Sequence, residues 1–197
     1  DYDILRTITL ACSMKNDHKI TIFHQIHFKD GKAVLFKIGQ YPQLAALHNP
    51  QLAKYQKLLG KYYSELTRAV GLSSHGIGIG SFVYLRRIIE SLIEEAHVMA
   101  TSQPGWDEGK YKQSKVIERI VQLGPLLPDF LTENKESYSI LSKGIHELGE
   151  EECKEHFPVM LETIEYILDE KLAKDERRVK RKEVANKLQG IHQQLKS

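Results

Sequence analysis

The chain has 197 residues and a mass of 22.6 kDa, room for one ordinary domain with a small appendage and enough to hold a core without disulfides or metal. Its 28 Lys and Arg against 26 Asp and Glu leave +2, so charge on the whole chain demands neither nucleic acid nor a membrane as partner. A composition of 41% hydrophobic and 27% charged residues excludes disorder, and no run approaches the roughly 20 apolar residues of a membrane span.

The first 40 residues alternate with the period of a strand. Ile4, Ile8 and Leu10 are in phase within Ile4–Ala11, and Lys15-Asn16-Asp17 follows with turn chemistry. In Lys19–Phe28, Ile20, Ile22, Ile26 and Phe28 fall on one face, with Thr21, Phe23, Gln25 and His27 on the other. Asp30-Gly31 then separates this run from Ala33–Ile38. Asp-Gly between apolar runs marks a tight hairpin, because both residues tolerate positive φ. The expectation is a three-stranded antiparallel meander, too small to stand alone.

From Asn49 the period becomes helical. Asn49 reads as an N-cap with Pro50 at the first helical position, and Leu52, Tyr55, Leu58, Leu59, Tyr62, Leu66 and Ala69 recur until Gly71. A second helix is predicted from Ser81 to Ala100, ended by Gln103-Pro104-Gly105, and a third from Gln113 to Leu123, ended by Gly124-Pro125. A short one follows over Glu133–Leu141. The last begins near Glu150 and carries Phe157, Met160, Leu161, Ile164, Ile167, Leu168 and Leu172, with Pro158 in its early turns or kinking it. Residues 147–170 hold nine acidic and one basic residue, whereas residues 171–197 hold nine basic and three acidic. That order suits the helix dipole. The tail, with a thin apolar stripe of Val179, Ala185, Leu188, Ile191 and Leu195, reads as a projecting helix, or as an extension that dimerises or meets nucleic acid. The predicted architecture is mainly α, an antiparallel helical bundle over residues 49–170, with a β-meander over 1–48 and a basic helical tail over 171–197.

Few motifs carry chemistry. Gly71-Leu-Ser-Ser-His-Gly-Ile-Gly-Ile-Gly-Ser81 has the glycines of a phosphate cradle, but Gly80-Ser81 is followed by Phe82 and so lacks the lysine of a Walker loop. It reads as a tight connection between packed helices, with Ser81 as N-cap. Cys12 and His18 flank the first turn as half of a zinc site would, yet no second pair accompanies them, and no metal or cofactor is expected. Two cysteines without a framework fit a reducing, cytoplasmic compartment. The chain begins at Asp1 rather than Met, with no signal-like apolar segment, as a fragment or a processed chain would. Arg86 and Glu90 lie four apart on one helix face, where they can pair. Arg86 or Arg87, sharing a cleft with His146 from the predicted turn Ser142–Leu148, would bind a phosphodiester, with His146 as acid or base and Lys143 as a further cation.

The order of these pieces resembles the HEPN superfamily (higher eukaryotes and prokaryotes nucleotide-binding), in its bacterial, defence-linked branch. The likeness spans Ser81 to Glu170: the helix containing Leu85-Arg86-Arg87-Ile88-Ile89-Glu90, the Leu-Gly-Pro-Leu-Leu-Pro break before Asp129, and Ile140–Leu148 before the final amphipathic helix. The resemblance implies an antiparallel helical bundle, a homodimer, and metal-independent RNA cleavage in toxin or antiphage systems. Active members carry an Arg separated from the catalytic His by four to six intervening residues. His146 matches that His, but Ser139, Ile140 and Leu141 stand where the Arg would be, and Lys143 is only three residues away. This departure argues against ribonuclease activity. Arg68 and His75 have the family spacing but lie outside the matching segment, a weaker alternative pair. The expected function is binding of RNA or a nucleotide; the alternative is a non-catalytic dimerisation or protein-interaction domain of a larger protein.

Overall fold

The computed structural model describes residues 1–15, 17–42 and 50–194. The fold is mainly α with an N-terminal three-stranded antiparallel sheet, and the chain divides into two compact units, Asp1–Lys54 and Tyr55–Ser197. The expected break after residue 48 and the Asn49 cap fall at or beside residues outside those described. No helix among the described residues is long and apolar enough to cross a membrane.

In the first unit, β1 (Tyr2–Ala11), β2 (Lys19–Lys29) and β3 (Lys32–Tyr41) form a meander in that order. Asp30 and Gly31 make the second turn with φ of 50° and 71°, the paired left-handed geometry that a two-residue hairpin of the right twist requires. Ile4 faces Ile26 and Ile8 faces Ile22, as the alternation predicts. Tyr2 stacks on Phe28 with ring centroids 4.8 Å apart, and the His27 ring meets the Asp3 carboxylate at 2.7 Å across the strands. Of the predicted first turn, Asn16 lies outside the described residues.

The second unit is built on one long helix. Its described α-helices are α1 (Gln56–Leu59), α2 (Tyr63–Ser74), α3 (Gly78–Ala100), α4 (Glu108–Gln113), α5 (Val116–Leu123), α6 (Asp129–Glu133), α7 (Glu136–His146) and α8 (Glu150–Gln194). α3 packs against α2, α7 and α8, and it buries Phe82, Leu85, Ile88, Ile89, Leu92 and Ala96 completely or nearly so. These recur every three or four residues, which is why a single helix can serve as the hub of the core. α8 buries Cys153, Phe157, Met160, Ile164, Ile167 and Leu168, the apolar face of that helix's first half.

Several boundaries differ from those predicted, each for a local reason. The expected single helix up to Gly71 is broken at Gly60, whose φ of +52° lies outside the right-handed α region, and the 3-10 turns Ala53–Tyr55 and Gly60–Tyr62 interrupt it. α2 runs past Gly71 to Ser74. α3 starts at Gly78, so Ser81 is no N-cap; it lies buried inside the helix and donates to the Ile77 carbonyl. α4 was not anticipated; Asp107 caps it by accepting from the Lys110 N–H at 2.9 Å. The third helix starts at Val116 rather than Gln113. α7 continues to His146, making the predicted turn at Ser142 the last turn of a helix. Pro158 sits in the third turn of α8, which continues through it. The basic tail is the far end of that same helix, and residues 176–194 are exposed throughout.

The corner where α3 ends is fixed by polar and aromatic contacts. His97 stacks on Tyr111 at 4.0 Å, and Glu108 Oε2 lies 2.9 Å from both His97 Nε2 and Trp106 Nε1. Arg119 lies over the Tyr111 ring, 4.9 Å from its centroid, and donates to the Tyr111 carbonyl.

Candidate functional site

Ser139, Ser142, Lys143 and His146 recur at three- and four-residue spacing, so they share one face of α7. Opposite them, Lys115, Val116 and Ile117 open α5, where the Lys115 N–H donates to Glu118 at 2.8 Å and holds the start of that helix in place. Together with Tyr138 and Glu147 these residues line an open groove of about 490 Å³. Lys143, His146 and Lys115 are all exposed at its surface. The two ammonium groups and the imidazole are hydrogen-bond donors, the two serine hydroxyls are donors or acceptors, and Val116 and Ile117 give an apolar wall. Such a groove suits an anion attached to a flat or apolar body.

The two predicted arginines turn elsewhere. Arg86 Nε donates to Glu90 Oε1 at 2.8 Å and to the Tyr138 hydroxyl at 3.2 Å, while that hydroxyl donates to Glu90 at 3.0 Å. The predicted Arg86–Glu90 pair is thus present, closed into a triangle by Tyr138. Burial works against the charge of Arg86, but Glu90 and Tyr138 outweigh it and hold the guanidinium above its ordinary pKa. Burial, then the Glu90 carboxylate, pushes the Tyr138 phenol up, so it remains a donor. Tyr138 therefore stands between Arg86 and the His146 groove, and the guanidinium is not among the groove's lining. Arg87 pairs with Glu65 of α2 at 3.1 Å. The Glu65 carboxylate is nearly buried and this is a charge contact rather than an aligned hydrogen bond, so Arg87 is needed where it is.

The weaker pair is also separated. Arg68 is exposed on α2 and lies over the Tyr84 ring, 5.9 Å from its centroid, as does Arg87. His75 occupies the C-cap of α2, two turns further on. The glycine segment is occupied by packing. Glu150 of α8 accepts from the Gly78 and Ile79 N–H groups, so a carboxylate already fills the place a phosphate would take. A β-carbon on Gly78 would come within 2.7 Å of the Glu150 carbonyl, which is why glycine stands there. In the meander, the Cys12 N–H donates to the His18 carbonyl at 2.9 Å, and among the described residues no three His, Cys, Asp or Glu side chains converge.

Lys115, Ser139, Ser142 and Tyr138 are not among the site residues that the sequence suggests. Ser139 and Ser142 could have been found from their helical phase with Lys143 and His146. Lys115 carries no such signal, since only the fold brings α5 beside α7. No protein-family model, curated protein or solved structure matches the chain.

Proposed function

We propose that the chain is a HEPN-like helical module of a bacterial defence or toxin-type system that binds RNA or a nucleotide by its phosphates, in the groove between α5 and α7, without cleaving it. The observation that carries this reading is the convergence of Lys115, Lys143 and His146 on one open groove while Arg86 and Arg87 are engaged by carboxylates. Lysines attract a phosphate as point charges, whereas the planar fork that grips a phosphorane in two places is missing from the groove. His146 supplies at most one proton-transfer role per subunit. A cytoplasmic setting belongs to the same reading and agrees with the two free cysteines.

The test is fluorescence anisotropy with a labelled single-stranded RNA and, separately, ATP. Lys115→Glu with Lys143→Glu should weaken binding at least about tenfold and reduce the slope of log affinity against log salt by about 1.4, two phosphate contacts' worth. Wild-type RNA should stay full-length on a gel. Unchanged affinity in the double variant would remove the groove from the proposal. Shortening of RNA that His146→Ala abolishes would replace binding with ribonuclease activity.

A second reading, self-association as a homodimer or interaction module, is favoured by the end of α8, whose residues 176–194 are all exposed although Val184, Leu188 and Ile191 lie among them. Light scattering of the whole chain and of a chain lacking residues 171–197 tests it. A monomer in both cases would count against pairing.

A further inference from the structure

Most helical stability in a protein comes from packing an apolar face, and apolar residues aligned on an open helix face call for a cover. On α8 the exposed residues Val159, Tyr166, Ala173, Val184, Leu188 and Ile191 follow one another at intervals of seven, seven, eleven, four and three. Seven residues drift about 20° one way around a helix and eleven drift about as far the other way, so the stripe stays straight. It runs about 48 Å from Val159 to Ile191 at the α-helical rise. The exposures are 64% for Val159, 58% for Tyr166, 61% for Leu188 and 54% for Ile191, so both halves of the stripe are open. Val179 lies off it.

The charges on and beside this stripe are divided by sign. Glu155, Glu162 and Glu170 accompany its first half, and Arg177, Lys180 and Arg181 its middle. Among the described residues Arg177, Lys180 and Arg181 make no ion pair.

We infer that the stripe is the seat of a second copy of this chain, with the two α8 helices antiparallel about a two-fold axis beside Asp175. That axis sets Val159 against the partner's Ile191, Tyr166 against the partner's Val184, Glu162 against the partner's Leu188 and Glu170 against the partner's Lys180. The same symmetry repeats each contact in reverse, as a two-fold interface must. Two apolar pairs, Val159 with the partner's Ile191 and Tyr166 with the partner's Val184, then form at each end of the interface, while Leu188 and Ala173 lie against the partner's Glu162 and the partner's Arg177. A parallel arrangement would lay acid on acid and base on base, so the charges select the antiparallel one. This deepens the self-association reading and rests on it.

Disulfide trapping tests the register in a Cys12→Ser background, Cys153 being buried. Tyr166→Cys mixed with Val184→Cys should form a linked dimer under mild oxidation, whereas neither variant should link to itself. Light scattering should give twice 22.6 kDa for the unmodified chain. Leu188→Asp with Ile191→Asp should raise the dissociation constant at least about tenfold. Trp106 fluorescence should be unchanged in that variant, because both positions are exposed within one chain. Self-linking of Val184→Cys would overturn the antiparallel arrangement. A dimer with no mixed cross-link would overturn this interface and leave self-association standing; a monomer at every concentration would remove both.

Discussion

At the Glu108 side chain, one oxygen serves two partners, His97 Nε2 and Trp106 Nε1, each at 2.9 Å. The His97 contact, followed by the indole donor and Lys112, holds the carboxyl at a pKa of about 2, below its ordinary 4.5. The unfolded chain therefore takes up this proton first as pH falls. The stabilisation is fully present above pH 4.5 and is lost as pH drops through about 2. Guanidinium unfolding followed by fluorescence of Trp106, the sole tryptophan, should show wild type ahead of Glu108→Gln at pH 7. Below pH 4.5 that gap should narrow; a gap that holds constant down to pH 2 would deny Glu108 this role. None of this was legible in the sequence, because His97 and Glu108 belong to different helices and no spacing links them. His146 and Lys143 were legible as neighbours only by their three-residue separation in a segment that reads as a turn; their shared helical face was not. The direction of Arg86 was half legible: its pairing with Glu90 followed from spacing, but Tyr138, which turns it from the groove, is 52 residues away.

Among the elements, glycine decides how closely helices approach. A methyl group on Gly144 of α7 would overlap the Phe82 ring of α3, which is fully buried. Gly144→Ala gains about 1 kcal/mol of helix propensity, and the overlap costs about 1–3 kcal/mol, so the overlap should win. At Gly190 of α8 nothing lies near, and Gly190→Ala should stabilise the helix by about 0.5–1 kcal/mol. Urea midpoints of the two variants should move in opposite directions; a Gly144→Ala midpoint equal to or above wild type would refute the close contact. The hydrophobic periods of α3, α5 and α8 were readable because tertiary burial follows them. The end of α7 was not, since Ser142, Gly144 and His146 resemble a turn unless the ring of Phe82 is known to lie opposite. Gly60 was hidden in the other direction, inside a pattern whose apolar spacing continues across it.

For the molecule as a whole, apolar surface is unevenly distributed between the two units. The second encloses its core, while the meander leaves Leu5, Leu35, Phe36 and Ile38 more than half exposed. Leu5, Gln25 and Phe36 lie in one row across the three strands, so two large apolar side chains flank a polar one on an open face. Leu5→Thr with Phe36→Thr retains residues that suit a strand while removing that surface. The pair should lower binding of an apolarity-sensing dye and leave the thermal midpoint within a few degrees; unchanged dye binding would place the sticky surface elsewhere. The meander itself was read correctly from alternation and from Asp30-Gly31, because strand pairing there is local. The groove of α5 and α7 depends on contacts between distant segments, and the sequence held only one of its walls.

The meeting of Gly78 with Glu150 joins the beginnings of two helices, α3 and α8, and the beginning of a helix is its electropositive pole. Two such poles repel, and absence of a side chain at residue 78 lets them come close enough for the repulsion to matter. Glu150 sits between them as a built-in counter-ion that belongs to one helix and neutralises both. The approach of α3 and α8 is thereby bridged by a carboxylate that the chain carries with it rather than borrowing from solution, beside Glu151 and Glu152 in the same first turn of α8.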